Sequence, residues 1–198
     1  MPSQITTRQR LTVGIVFILT LLALPSLSAA KVTPGAPNAQ ERTAVKSLIR
    51  AEAMRMGVPV SLALAVAHTE SYFNPRAVSS AGARGVMQIM PATSKGEYGI
   101  HPNLLWDPRV NIRIGLHFLK RLLKRYRGRA ELALSYYNGG SAVGDLPNAR
   151  IIPATAKYVR KVLRLQRTYR ADKGRGDIRT WTASRRRNSL SRRARAVN

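Results

Sequence analysis

The sequence VSLALAVAHTES, residues 60–71, is apolar at almost every position and ends beside the acid Glu70. Pro59 precedes it, and proline is favoured where a helix begins. Because a helix that is apolar on all sides belongs inside a protein, this stretch predicts a buried helix that carries one carboxyl group out of the core. The next segment, residues 74–99, contains six Pro and Gly residues and predicts loops with a small hairpin.

Helical patterns surround this segment on both sides. Apolar residues at helical spacing predict an amphipathic helix over Glu41–Met56, with Gly57 as its C-terminal stop. Asp107 followed by Pro108 is typical of a helix start and predicts a helix that closes at Gly128. Shorter patterns predict helices over Ala130–Tyr137 and Ala154–Leu165. The fold class is therefore mainly α, with one domain over residues 41–168.

The N-terminus has the pattern of an export signal. Residues 11–30 carry no charge and follow Arg8 and Arg10, and small residues precede Lys31. We interpret residues 1–30 as a signal peptide cleaved before Lys31 and residues 31–40 as a linker. An uncleaved inner-membrane anchor is the competing interpretation, and a buried core helix is the weakest. The first two interpretations both predict export to the periplasm.

The C-terminus is strongly basic. Residues 157–198 contain 15 Lys and Arg residues but only two Asp residues, and the chain as a whole has a net charge of +25. We therefore expect residues 169–198 to form a disordered tail attracted to polyanions. The positive charge could bind an anionic wall polymer or membrane surface, or it could simply keep the tail solvated. Export argues against nucleic acid as a partner.

The composition excludes several kinds of site. There are no cysteines, so disulfides and thiolate chemistry are excluded. Three scattered histidines show no metal-ligand spacing, so we expect neither a metal site nor a cofactor. Of the nine acidic residues, Glu70 alone follows an apolar helix. Its carboxyl is either half-buried with a raised pKa, as a general acid requires, or an ordinary solvated helix end.

A resemblance favours the first interpretation. The sequence is similar to the family-1 soluble lytic transglycosylases of the goose-type lysozyme superfamily over residues 44–165. The similarity is carried by ESYFNP (70–75), SSAGA (79–83), GVMQIMP (85–91) with Thr93, LWDP (105–108) with Asn111, Ile114 and Gly115, and ALSYYNGG (133–140). Many fixed positions at fixed spacing make this a specific pattern. It implies an α+β lysozyme-like fold with a glycan-binding groove.

The resemblance also implies a chemistry. The substrate would be peptidoglycan, and Glu70 would be the single catalytic acid and base. The enzyme would cleave the bond between N-acetylmuramic acid and N-acetylglucosamine and form a 1,6-anhydro ring. Ser79, Gln88, Met90, Tyr137 and Asn138 would line the sugar subsites, with Tyr137 beside Glu70. For Ser79, Met90 and Asn138, a turn cap, core packing and a helix stop are equally good interpretations.

The sequence departs from the family pattern at two places. Gly139 follows Asn138 where the family commonly has alanine, and Ala154-Thr155 stands where it often has Glu-Thr. The expected partner is the peptidoglycan glycan strand, bound by a monomer. A hydrolytic lysozyme and a specialised wall-opening or wall-binding accessory of a secretion system, with secretion components as partners, remain the alternative functions.

Overall fold

The computed structural model describes residues 36–172, which form six α-helices joined by loops and short 3-10 turns. The predicted signal segment, most of the linker and the tail beyond residue 172 lie outside the described residues. Within 36–172, no helix is long and apolar enough to cross a membrane. The prediction of a mainly α fold is confirmed, because the described residues contain two isolated β-bridges and no sheet.

Helix α1 spans Ala39–Met56 and helix α2 spans Val60–Ser71. Asn38 and Glu41 form a reciprocal capping box, and α1 begins at Ala39, two residues inside the predicted linker. Gly57 ends α1 in the left-handed conformation with φ 67°, and this stop is the one that the sequence predicts. Helix α2 is buried along most of its length, from Leu62 to Ala67. Its sequence can place seven side chains in the core because nearly every position is apolar.

Helix α3 spans Pro91–Tyr98, inside the segment predicted to be loops. That prediction was wrong for these eight residues. Pro91 lies at the first turn, where its missing N–H costs no hydrogen bond, and Gly96 is tolerated in the middle of a short helix. The expected hairpin is reduced to two bridges, in which Arg84 pairs with both Val78 and Ile89.

Helices α4 and α5 span Pro108–Arg125 and Ala130–Gly139. The Asp107 carboxylate caps α4 by accepting hydrogen bonds from the backbone N–H groups of Arg109 and Val110 at 2.7 and 3.1 Å. Helix α4 packs between α1 and α5 and contributes apolar side chains to the main core, among them Ile112, Leu116 and Leu119.

Helix α6 runs from residue 156 to residue 172. It is longer than the predicted helix ending near Leu165, and residues 169–172, which the sequence assigns to the disordered tail, are helical. The reason is Tyr169, whose hydroxyl lies 2.7 Å from Nδ1 of His68 and whose ring packs against Phe73. These contacts bring α6 against the end of α2, where Glu70 lies.

Candidate active site

Glu70 lies in the last turn of α2, one residue before the helix ends. Immediately afterwards Tyr72 and Phe73 take positive φ angles of 54° and 65°, which reverse the chain sharply. Such angles are uncommon for residues other than glycine and are kept where the surrounding structure holds them. Phe73 is buried and the cation of Lys46 lies over its ring, which holds the turn in place.

The end of α2 is fastened to the loop that follows it. The buried Ser71 hydroxyl donates to the carbonyl of Val86 at 2.8 Å and accepts from the N–H of Asn74 at 3.1 Å. Because a buried hydroxyl that keeps its partners fixes its surroundings, Ser71 sets the position of its neighbour Glu70 relative to the loop of residues 74–90.

That loop is held from the other side by the buried amide of Asn111 in α4. Its Oδ1 accepts from the N–H of Met87 at 2.8 Å, and its Nδ2 donates to the carbonyls of Arg84 and Leu105 at 2.8 and 3.1 Å. Gly85 allows this approach, since a Cβ there would lie 2.5 Å from the Asn111 amide nitrogen. The loop is therefore a rigid wall rather than a flexible connection.

The Glu70 carboxyl is partly buried and receives one strong hydrogen bond. The hydroxyl of Tyr158, in α6, donates to Glu70 Oε1 at 2.5 Å. Burial raises the pKa of Glu70 to about 7, although the Tyr158 hydrogen bond and the nearby charge of Lys161 act in the opposite direction. At neutral pH such a group is present in both its protonated and its ionised form, as acid and base catalysis require.

The other acids near the core are engaged elsewhere. Glu52 is buried and forms salt bridges with Arg55, Arg109 and Arg113 at 2.6, 3.3 and 3.0 Å. The hydrogen bond from Arg113 is the main reason that the pKa of Glu52 is lowered to about 2. Glu97 pairs with Arg121 on the surface at 2.8 Å. Within residues 36–172 no group of three acidic or histidine side chains could hold a metal ion.

The structure places the other predicted site residues around the same loop. Tyr137, in α5, donates from its hydroxyl to the carbonyl of Met87 at 2.9 Å. Gln88 has a positive φ of 47° and donates to the carbonyls of Gly85 and Ala77. Tyr137 and Gln88 thus hold the backbone of the loop of residues 74–90. The hydroxyl that contacts Glu70 itself belongs to Tyr158, and Tyr137 does not take that place.

The simpler interpretation holds for Ser79 as a turn cap, whereas Met90 lies outside the core clusters and Asn138 lies one residue before the end of α5. The Ser79 hydroxyl accepts from the N–H of Ala83 at 3.0 Å and so caps a turn. Met90 is the residue before α3 and is partly exposed. Asn138 is exposed in the last turn of α5. All three keep some surface that a ligand can reach.

Sequence reasoning missed Tyr158 as a site residue. Tyr158 and Glu70 are 88 positions apart, and no local pattern connects residues at that separation. A weak signal existed, since Tyr158, Val159, Val162 and Tyr169 recur at helical spacing and point one face of α6 toward the core. That face contains the tyrosine that reaches Glu70.

Comparison with known proteins identifies the family of this domain. Residues 47–146 match the family model described as the transglycosylase SLT domain. The chain belongs to the transglycosylase SLT family. The membrane-bound lytic murein transglycosylases C of Edwardsiella ictaluri and Yersinia pestis are each 38% identical to it, over 122 and 123 residues. These matches cover 53% of this chain and 34% of each relative, so the chain spans about a third of their length.

Solved structures show the same SLT fold. An inactive mutant of the lytic transglycosylase Slt from Pseudomonas aeruginosa superposes with a TM-score of 0.57 at 27% identity. The 70 kDa soluble lytic transglycosylase of Escherichia coli gives a TM-score of 0.57 at 29% identity. Each match covers 65% of this chain and 24% of the larger protein. The predicted family is thereby confirmed, and with it a lysozyme-like fold.

Proposed function

We propose that this protein is an exported lytic transglycosylase that cleaves the β-1,4 bond between N-acetylmuramic acid and N-acetylglucosamine in peptidoglycan. The main support for the proposal is the state of the Glu70 carboxyl. It is partly buried, accepts a hydrogen bond from Tyr158 and has a pKa of about 7. An ordinary carboxyl with a pKa of 4.5 would be ionised at neutral pH and would hold almost no proton to donate.

In the first step, protonated Glu70 gives its proton to the glycosidic oxygen as the bond to C1 of the muramic acid breaks. The leaving N-acetylglucosamine takes that proton as its new hydroxyl hydrogen, and Glu70 is left as a carboxylate. Tyr158 stabilises this carboxylate, because its hydroxyl already donates to Oε1 and a hydrogen bond to an ionised acceptor is stronger than one to a neutral acceptor.

In the second step, the Glu70 carboxylate removes the proton from the C6 hydroxyl of the same muramic acid. The C6 oxygen then bonds to C1 and closes a 1,6-anhydro ring. Glu70 recovers the proton it gave away, so neither water nor a second carboxylate is consumed. This cycle agrees with the engagement of Glu52 and Glu97 in salt bridges away from Glu70.

The names of the relatives support the substrate and the location. The two curated relatives are named membrane-bound enzymes that act on murein. We infer that this chain acts on the same polymer in the periplasm, reached through export by residues 1–30. Tyr137 and Gln88 would hold the wall of the sugar site, and Ser79, Met90 and Asn138 would offer their exposed surface to the glycan.

The test is mass spectrometry of the fragments released from purified sacculi. The wild-type protein should release muropeptides with anhydro ends, and Glu70→Gln should release none while still binding glycan. Glu131→Gln is the matched control, since it also removes one carboxyl, at the first turn of α5, and it should keep full activity.

Each other outcome selects a different function. Fragments with reducing ends would identify a hydrolytic lysozyme, in which water replaces the C6 hydroxyl. Binding without any release, by the wild-type protein itself, would identify a wall-binding accessory. Undiminished release by Glu70→Gln would remove Glu70 from the chemistry.

A further inference from the structure

The outer surface of α6 carries a concentration of positive charge. Six of its cations are exposed. Five of them, here called the basic face, are Lys157, Arg160, Lys161, Arg164 and Arg167, and the sixth is Arg170. At 3.6 residues per turn these five fall within roughly a third of the helix circumference. The opposite side of α6, with Val159 and Val162, is buried in the core. The basic face therefore points outward along the whole helix.

No salt bridge engages the basic face within the described part of the chain. The salt bridges of residues 36–172 involve arginines on other elements, such as Arg113 with Glu52 and Arg121 with Glu97. Residues 156–171 contain no acidic residue at all. Four acids of residues 36–172 form salt bridges, and all of their cationic partners lie outside α6.

This arrangement is unfavourable for the helix by itself. Lys157 and Lys161, and likewise Arg160 and Arg164, are four residues apart, and like charges at that spacing repel each other. A sequence that keeps a locally unfavourable pattern commonly does so for a function. The repulsion would be relieved by an anionic ligand lying along the helix.

The basic face begins at the candidate active site. Tyr158, which donates to Glu70 Oε1, precedes Lys161 by three residues and so adjoins it on the helix surface. The charge of Lys161 lowers the pKa of both Glu70 and His68, which belong to the last turns of α2. A polymer held at Glu70 therefore has the basic face beside it.

We propose that the basic face of α6 binds the carboxylates of the peptide stems that branch from the glycan strand being cut. This inference rests on the proposed function and adds the part of the substrate recognised outside the sugar site. The stems are the regularly repeated anionic groups of peptidoglycan, and they leave the strand from the muramic acid, the sugar that Glu70 would act on. An anionic membrane is less favoured, because a surface that large would cover the site beside Lys161.

The experiment uses the full chain carrying Glu70→Gln, so that the substrate is not consumed during binding. The test variant adds Arg160→Gln, Arg164→Gln and Arg167→Gln, which leaves Tyr158 and Lys161 intact. The matched control instead adds Lys124→Gln, Arg129→Gln and Arg150→Gln, three exposed cations on α4 and nearby loops with the same total charge. Binding is measured to native sacculi and to sacculi whose carboxyls have been converted to amides.

We expect the test variant to bind native sacculi about tenfold more weakly at low salt, with a smaller loss at about 0.15 M salt because screening is stronger there. On amidated sacculi it should bind as its Glu70→Gln parent does, and the control variant should match the parent on both substrates. The melting temperature of the test variant should be unchanged or higher, because repulsion along α6 is removed.

Several results would overturn the proposal. They are an equal loss for the control variant, no loss for the test variant, or the same loss on amidated sacculi. Retained sacculus binding with loss of binding to phosphatidylglycerol vesicles would assign the face to a membrane instead. None of these readouts depends on turnover, so the failure of this proposal is distinct from the failure of the proposed function, which the released fragments test.

Discussion

Replacing Glu70 by glutamine should make the protein more stable at alkaline pH. Glutamine has nearly the same shape, can accept the Tyr158 hydrogen bond and stays neutral at every pH. In the wild-type protein, the pKa of Glu70 rises from 4.5 in the unfolded chain to about 7 in the fold. The folded state thus binds more protons than the unfolded state between those values, and stability falls as pH rises through that window.

The size of this effect follows from the shift. Each unit of pKa is worth about 1.4 kcal/mol, so the free energy of unfolding of the wild type should fall by about 2 to 3 kcal/mol between pH 5 and pH 8 because of Glu70 alone. Glu70→Gln lacks this loss. The two proteins should be similarly stable at pH 5, and the variant should be more stable at pH 8, by roughly 10 °C in melting temperature.

Urea unfolding at the two pH values, followed by circular dichroism, measures the difference directly. Other titrating groups cancel because only the difference between wild type and variant is used. Glu131→Gln serves as the control for removal of one carboxyl elsewhere in the domain. If the difference between Glu70→Gln and the wild type is the same at both pH values, the Glu70 carboxyl is solvated and the reasoning about its burial is wrong.

Three further substitutions test the surroundings of Glu70. Tyr158→Phe removes the hydrogen bond that lowers the pKa of Glu70, so kcat/KM should fall by about tenfold and the alkaline limb of its pH profile should move upward. Glu52→Gln should lower the free energy of unfolding by about 3 kcal/mol at pH 7. This difference should shrink as pH falls from 4.5 through about 2, where wild-type Glu52 itself becomes protonated. Asn111→Ala removes the partner of the Met87 N–H and of the Leu105 carbonyl, while the Arg84 carbonyl keeps its bond from the N–H of Ile89. Urea unfolding should register a loss of about 3 kcal/mol.

The parts of the fold that the sequence predicts well are those that local chemistry determines. Gly57 ends α1 because glycine takes a positive φ without strain. Asp107 starts α4 because its carboxylate reaches the first free N–H groups. The almost wholly apolar sequence of α2 leaves no polar side to expose. In each case a few neighbouring residues contain all the necessary information.

The parts that the sequence misses depend on contacts between distant segments. Pro91 and Gly96 suggest a loop when they are read one by one, yet α3 forms because the Ser94 hydroxyl is buried and donates to the carbonyl of Ile100. Helix α6 extends beyond Leu165 because Tyr169 meets His68, a residue about a hundred positions earlier. The breaker residues of α3 and the basic composition after Leu165 outweigh the weak helical spacing that Tyr169 shares with Tyr158 and Val162.

The candidate site divides in the same way. Glu70 is predictable because the apolar helix that precedes it places its carboxyl at the edge of the core. The tyrosine that donates to Glu70 is not predictable from the sequence, since Tyr137 and Tyr158 lie on successive helices and have the same hydroxyl group. Only the three-dimensional arrangement directs Tyr137 to the Met87 carbonyl and Tyr158 to Glu70.

The most direct test of Glu70 as acid and base is the rate of anhydro-muropeptide release as a function of pH. For the wild-type protein, kcat/KM should decline above about pH 7, where Glu70 loses its proton, and Glu70→Gln should release nothing at any pH. A wild-type rate that stays constant up to pH 9, or equal release by the variant, would contradict the assignment.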